Sequence, residues 1–221
     1  MGRRGLLGAM GAGAAGLALG GVSGFAWGRE RAQVPTTSAP KTFPFEGDHQ
    51  AGIITEAQDR MHFAAFDLTD GATREDLIEL LEEWTEAARR LVIGGEVSAR
   101  GAFGGGPNFP PDDTGEAFGL DPAGLTLTFG FGRSLFVTAD GKDRFGLRKH
   151  MPKEFIDLPV MTNDFLDPKR SDGDLCIQAC ADDPQVAVHA IRNLTRMGVG
   201  KTRIKWSQLG LGELRRPHVV R

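Results

Sequence analysis

Tyrosine is absent from these 221 residues, so no tyrosyl side chain can relay electrons. Cysteine is nearly absent: the two are Cys176 and Cys180. If both lie on one strand, four residues at ~3.3 Å rise set their Cα atoms roughly 13 Å apart. A disulfide spans only ~4.4–6.8 Å, and the same distance excludes one metal ion held by both. They read as small buried hydrophobes. Neither sign of charge is in excess: 26 Lys and Arg face 29 Asp and Glu, a net charge of −3. Nucleic acid and anionic membrane surfaces are therefore not expected partners. A phosphate-cradling loop is also missing. Gly104, Gly105 and Gly106 have no strand running into them and no Lys-Ser/Thr after them, and Pro107, Pro110 and Pro111 remove N–H donors.

Long strongly apolar runs are scarce as well. No charge intervenes between Arg4 and Arg29, but the stretch is filled with Gly and Ala rather than the Leu, Ile, Val and Phe of a spanning helix. Of 31 glycines, ten fall within the first 28 positions. Arg3 and Arg4 followed by Gly5, Leu6 and Leu7 make a twin-arginine pattern, with Gly24-Phe25-Ala26 as a cleavage site. An uncleaved N-terminal anchor is the other reading. Residues 1–26 are thus assigned as a twin-arginine signal segment and residues 27–44, with Pro35, Pro40 and Pro44, as a linker. Export by that machinery to the periplasm or the exterior is the expectation.

What is present is enough for a sizeable core, since 40% of the chain is hydrophobic. Leu175, Ile177 and Ala179 alternate with Cys176, Gln178 and Cys180, the period of a strand. Asp183 then caps a helix with Pro184 at its first position, and Ala187, Ala190, Ile191, Leu194 and Met197 form its apolar stripe up to Gly198. Upstream, Met61–Leu68 reads as a strand. Thr73 and Asp76 form a capping box ahead of a stripe of Leu77, Leu80, Leu81, Trp84, Ala88 and Leu91, ended by Gly94 and Gly95. Leu125–Phe131 alternates as a strand, and a short helix is predicted near Pro152–Leu158 within a long excursion. Thr202–Gln208 is the last strand, with Ile204 and Trp206 on one face. The order is strand, helix, strand, excursion, strand, helix, strand. This is the α+β, ferredoxin-like split βαβ arrangement, an antiparallel sheet with both helices on one face.

The segments GDHQAGI (Gly47–Ile53), LTLTFGFGRSLF (Leu125–Phe136), GDLCIQACADDPQVAVHAIRNL (Gly173–Leu194) and KWSQLGLG (Lys205–Gly212) carry a resemblance. From about Phe43 to about Gly212 the chain resembles the N-terminal half of exported DyP-type (dye-decolourising) haem peroxidases, in particular their deferrochelatase-like branch. The resemblance implies the first of two ferredoxin-like halves, here residues 45–212, with 213–221 an unmatched tail. It implies haem b as cofactor, and peroxide-dependent oxidation of organic substrates or release of haem iron as activity. It also implies a distal aspartate in a G-x-x-D-G motif, a distal arginine and a proximal histidine, all beyond the last strand. No G-x-x-D-G follows Trp206.

No catalytic, cofactor-binding or metal-binding residue is therefore carried over to this sequence. His218 comes too early to stand for the proximal ligand. His49 reads as a loop histidine, His62 and His150 match no ligand, and His189 flanks a helix stripe as a satisfied, partly buried histidine. Glu75, Asp76 and Glu79 answer to the helix dipole. Asp112, Asp113 and Glu116 read as a solvated acidic loop, and Trp84 and Trp206 as core packing. The expectation is a portion inactive by itself, partnered by a missing C-terminal half or by its own copies. A freestanding ferredoxin-like binding module without enzymatic activity is the alternative.

Overall fold

The structure, a computed structural model, describes residues 39–159 and 161–212. Strand β1 (Arg60–Leu68) leads through Thr69–Thr73 into helix α1 (Arg74–Leu91). The capping box is formed as predicted: Thr73 accepts from the Asp76 N–H at 3.1 Å, and the Asp76 carboxylate accepts from the Thr73 N–H at 2.8 Å. A long glycine-rich loop follows, then β2 (Thr126–Phe131), a one-turn helix (Arg133–Phe136) and the excursion to β3 (Leu175–Ala181). Helix α2 (Pro184–Met197) begins at Asp183, whose side chain accepts from the Gln185 N–H at 2.7 Å, and β4 (Thr202–Leu211) ends the described chain.

The sheet order is β2-β3-β1-β4 and every neighbouring pair is antiparallel. Each helix therefore links two strands that have a third inserted between them, which is the split βαβ topology. The core forms where both helices meet one face of this sheet. Ala64, Phe66 and Leu68 of β1 and Leu175, Ile177 and Ala179 of β3 are buried there under Leu80, Trp84 and Ala88 of α1 and Ala187, Ala190 and Leu194 of α2. Trp84 is the keystone. Its ring lies 5.4 Å from that of Phe66 and 5.9 Å from that of Phe129, and its indole N–H donates to the Leu194 carbonyl at 2.8 Å. One side chain thus joins both helices to two strands.

Two predicted local features differ. No helix forms over Pro152–Leu158; helical turns occur instead at Arg148–His150 and Pro168–Arg170. Leu147 and Arg148 donate their N–H groups to the Asp143 carboxylate, so a local side-chain acceptor fixes the first of these turns. The second difference concerns β4, which runs to Leu211 rather than Gln208. Its pairing with β1 shifts register: Ala65 faces Trp206 while Phe66 faces Ile204, leaving Lys205 as the extra residue of a bulge. Ile204 and Trp206 consequently lie on opposite faces, and Trp206 leaves the helix side.

Candidate functional site

Among the described residues no helix covers the second face of the sheet. β1 places Met61, Phe63 and Ala65 on it, β3 places Cys176, Gln178 and Cys180, and β4 adds Trp206, Gln208 and Gly210 once the bulge has turned the strand. Phe63 and Trp206 stack with ring centroids 5.1 Å apart, and the Trp206 indole N–H donates to the Asp172 carbonyl at 2.9 Å. Both cysteines are free, half-buried thiols on this face, as the spacing required, and burial pushes both thiols above their usual range.

Two chain segments cover the margins of this face. At the β2 edge the Gln50 side chain acts as a short stretch of strand: its amide donates to the Phe129 carbonyl at 2.9 Å and accepts from the Phe129 N–H at 2.8 Å. Gly52 follows at φ +100°, where a Cβ would stand 2.3 Å from the Thr128 hydroxyl, so only glycine lets the strap lie this close. At the β4 edge, Arg170 donates to the Gln208 side chain at 2.5 Å. The centre stays half-exposed. The excursion exposes a run of large apolar side chains, Ile156, Leu158, Met161, Phe165 and Leu166, with Phe165 92% accessible.

A second cluster is built on the helix side. The Asp113 carboxylate is buried and accepts from the Val97 N–H at 2.8 Å and the Gly115 N–H at 2.7 Å, while His189 Nε2 lies 2.8 Å from it. Burial alone would raise this carboxyl, but the bonds from His189, Val97 and Gly115 outweigh it and hold it below the usual range. Asn193, also buried, accepts from the Thr114 N–H at 3.1 Å and donates to the Thr114 hydroxyl at 2.8 Å. The reading of His189 as a satisfied histidine holds. That of Asp112, Asp113 and Glu116 as a solvated loop does not: Asp112 pairs with Arg100, Asp113 with His189 and Glu116 with Arg192. Sequence reasoning missed these partners because the residues of the buried pair lie 76 positions apart.

The described residues do not build a haem site. His49 and His150 are exposed and His189 is tied to Asp113. His62 has a buried, unpartnered Nδ1, and burial lowers its pKa; however, it faces Ala179 and Leu209 across the strands, on the helix side and not in the apolar second face. Among the described residues no grouping of three or more His, Cys, Asp or Glu can hold a metal ion, and no helix is long and apolar enough to cross a membrane. His218, the twin-arginine segment and the 213–221 tail lie outside the described residues.

A family model described as Dyp-type peroxidase, N-terminal, matches residues 50–212. The deferrochelatase of Escherichia coli K12 is 34% identical over 215 residues, covering 94% of this chain and 47% of that protein. Among solved structures, the oxyferrous complex of DtpA from Streptomyces lividans is 38% identical with a TM-score of 0.68 over 80% of this chain and 45% of that one. The DyP-type peroxidase from Streptomyces coelicolor is 37% identical with a TM-score of 0.68 over 80% and 44%. The chain spans about half the length of the curated relatives it matches. A complete split βαβ sheet, with β4 closing at the end of the matched stretch, identifies this chain as a member of the haem-dependent DyP-type peroxidase family, spanning its N-terminal half.

Proposed function

We propose that this chain is the N-terminal portion of an exported DyP-type haem peroxidase that oxidises organic substrates with hydrogen peroxide or releases haem iron. In this reading the portion is inactive until a second half covers its sheet. The observation that carries the reading is the second face: Met61, Phe63 and Trp206 are apolar and half-exposed on a sheet whose other face is a full core. Apolar side chains on both faces of β1 fit a strand covered from both sides, and the exposed excursion adds to the surface a partner would bury. Haem would be ligated by groups outside the described residues.

The test uses the full chain. Titrated with haem and assayed with hydrogen peroxide and a dye, it is expected to turn over no faster than free haem. It should gain activity when the second half of Streptomyces lividans DtpA is added as a separate polypeptide. Turnover well above free haem by the chain alone overturns the reading and favours a self-sufficient module. Export rests on the Arg3-Arg4-Gly5-Leu6-Leu7 pattern. Replacing both arginines by lysine is expected to abolish export of a fused reporter, and undiminished export would refute the twin-arginine route.

A further inference from the structure

Of the described histidines, His62 alone has a buried ring nitrogen, Nδ1, without a hydrogen-bond partner. It stands on the helix side of β1, opposite Ala179 of β3 and Leu209 of β4. Leu209 also lines an apolar groove of about 230 Å³ between β4 and α2, together with Met61, Pro184, Ala187 and Leu211.

The charged groups around this ring offer it no acceptor. On the helix side of β1 the ionisable neighbour is Arg60, two positions along the strand and itself on the rim of the groove. To the same side β3 presents Leu175, Ile177, Ala179 and Ala181, and β4 presents Ile204, Ser207, Leu209 and Leu211, none of them ionisable at physiological pH. Arg203 and Lys205 turn to Asp67. On α2, His189 is tied to Asp113, Arg192 pairs with Glu116 and Arg196 donates to the Pro111 carbonyl, all toward the glycine-rich loop. Beyond β3, Asp182 pairs with Lys41 and Asp183 accepts from the Gln185 N–H. The first turn of α2, over the groove, adds the positive end of a helix dipole. Burial holds the His62 imidazole below its usual range, so it is uncharged at neutral pH. A second ring proton finds a cation nearby and no partner.

The element that gives way is set by the topology. β1 and β3 are internal strands, whereas β4 is an edge strand paired with β1 alone. Its last residues have little cover, with Leu209 60% and Leu211 71% exposed, so opening this stretch forfeits little burial. We propose that His62 is an acid-operated latch: proton uptake at Nδ1 releases Ser207–Leu211 from β1 and from the first turn of α2, and water then solvates the imidazolium. Gln208 and Gly210 stand on the second face, so the release strips that face of its β4 border. The latch is contained in β1, α2 and β4. It needs neither haem nor a second half, and stands or falls independently of the peroxidase reading.

The test is hydrogen exchange of the full chain, followed residue by residue by NMR and corrected for the intrinsic pH dependence of exchange. Between about pH 7.5 and about pH 5 the β1-bonded amides of Ser207–Leu211 are expected to lose protection, by up to about tenfold per pH unit below the free-imidazole value of about 6.5. The amides of Leu175–Ala181 should keep theirs. The loss is expected to level off at the pH where the His62 ring itself titrates. His62→Gln, uncharged throughout, should hold β4 protection constant over the same range. Unchanged β4 protection in the wild type, a loss shared equally by β3, or a loss that levels off away from the His62 titration each overturns the proposal, as does an equal loss in folded His62→Gln.

Discussion

On the helix side of the sheet Phe66 and Ile177 are wholly buried, whereas on the opposite face of the same two strands the paired Phe63 and Gln178 remain half-exposed. The local backbone is the same; what differs is the layer above. The helix side is closed by Trp84, which reaches two strands and the other helix, and among the described residues the second face is closed at its margins, by the Gln50 strap and by the Arg170–Gln208 bond. A strand with apolar residues at both parities fits two covers, and the described residues supply one.

Removing the keystone should break the contrast most forcefully. Trp84→Ala deletes a buried ring at the centre of the core together with its indole donor to the Leu194 carbonyl, and about 3–5 kcal/mol of unfolding free energy should be lost in urea titration. The same truncation on the second face, Trp206→Ala, forfeits a half-exposed stack with Phe63 and the indole bond to the Asp172 carbonyl and should cost about 1–2 kcal/mol. Equal losses would mean that the two faces are equally closed.

Between these falls the buried pair on the helix side. Asp113→Asn keeps the shape but loses the charged acceptor, with a loss of about 1–3 kcal/mol at pH 7. Because the folded-state pKa of Asp113 is depressed, its contribution is complete above the ordinary carboxylate pKa of about 4 and is lost as pH falls through the lower folded value. The gap between wild type and Asp113→Asn should therefore narrow on acidification below about pH 4. A gap independent of pH would show that the carboxylate charge contributes nothing.

Much of the fold was legible in the sequence because its signals are local. The Thr73–Asp76 capping box, the Asp183-Pro184 start of α2 and the alternation of Leu175–Ala181 each depend on residues a few positions apart, and each appears where predicted. The excursion failed as a local reading, since Asp143 drew the backbone into a turn before Pro152 instead of a helix after it. The site was less legible still. Nothing near Asp113 announces His189, and nothing within β4 announces the bulge that turns Trp206 away from Ile204.

The sequence by itself determined the elements, their order, their caps, the family they belong to and the free state of two cysteines four residues apart on one strand. Those outcomes follow from spacing, which the chain carries with it. The tertiary structure alone decided the burial of Asp113, the facing of Trp206 and the groove between β4 and α2. Each of these arises where segments distant in sequence are brought within ångströms of one another. Burial, register and enclosed volume belong to that meeting of segments and to no single stretch of the chain.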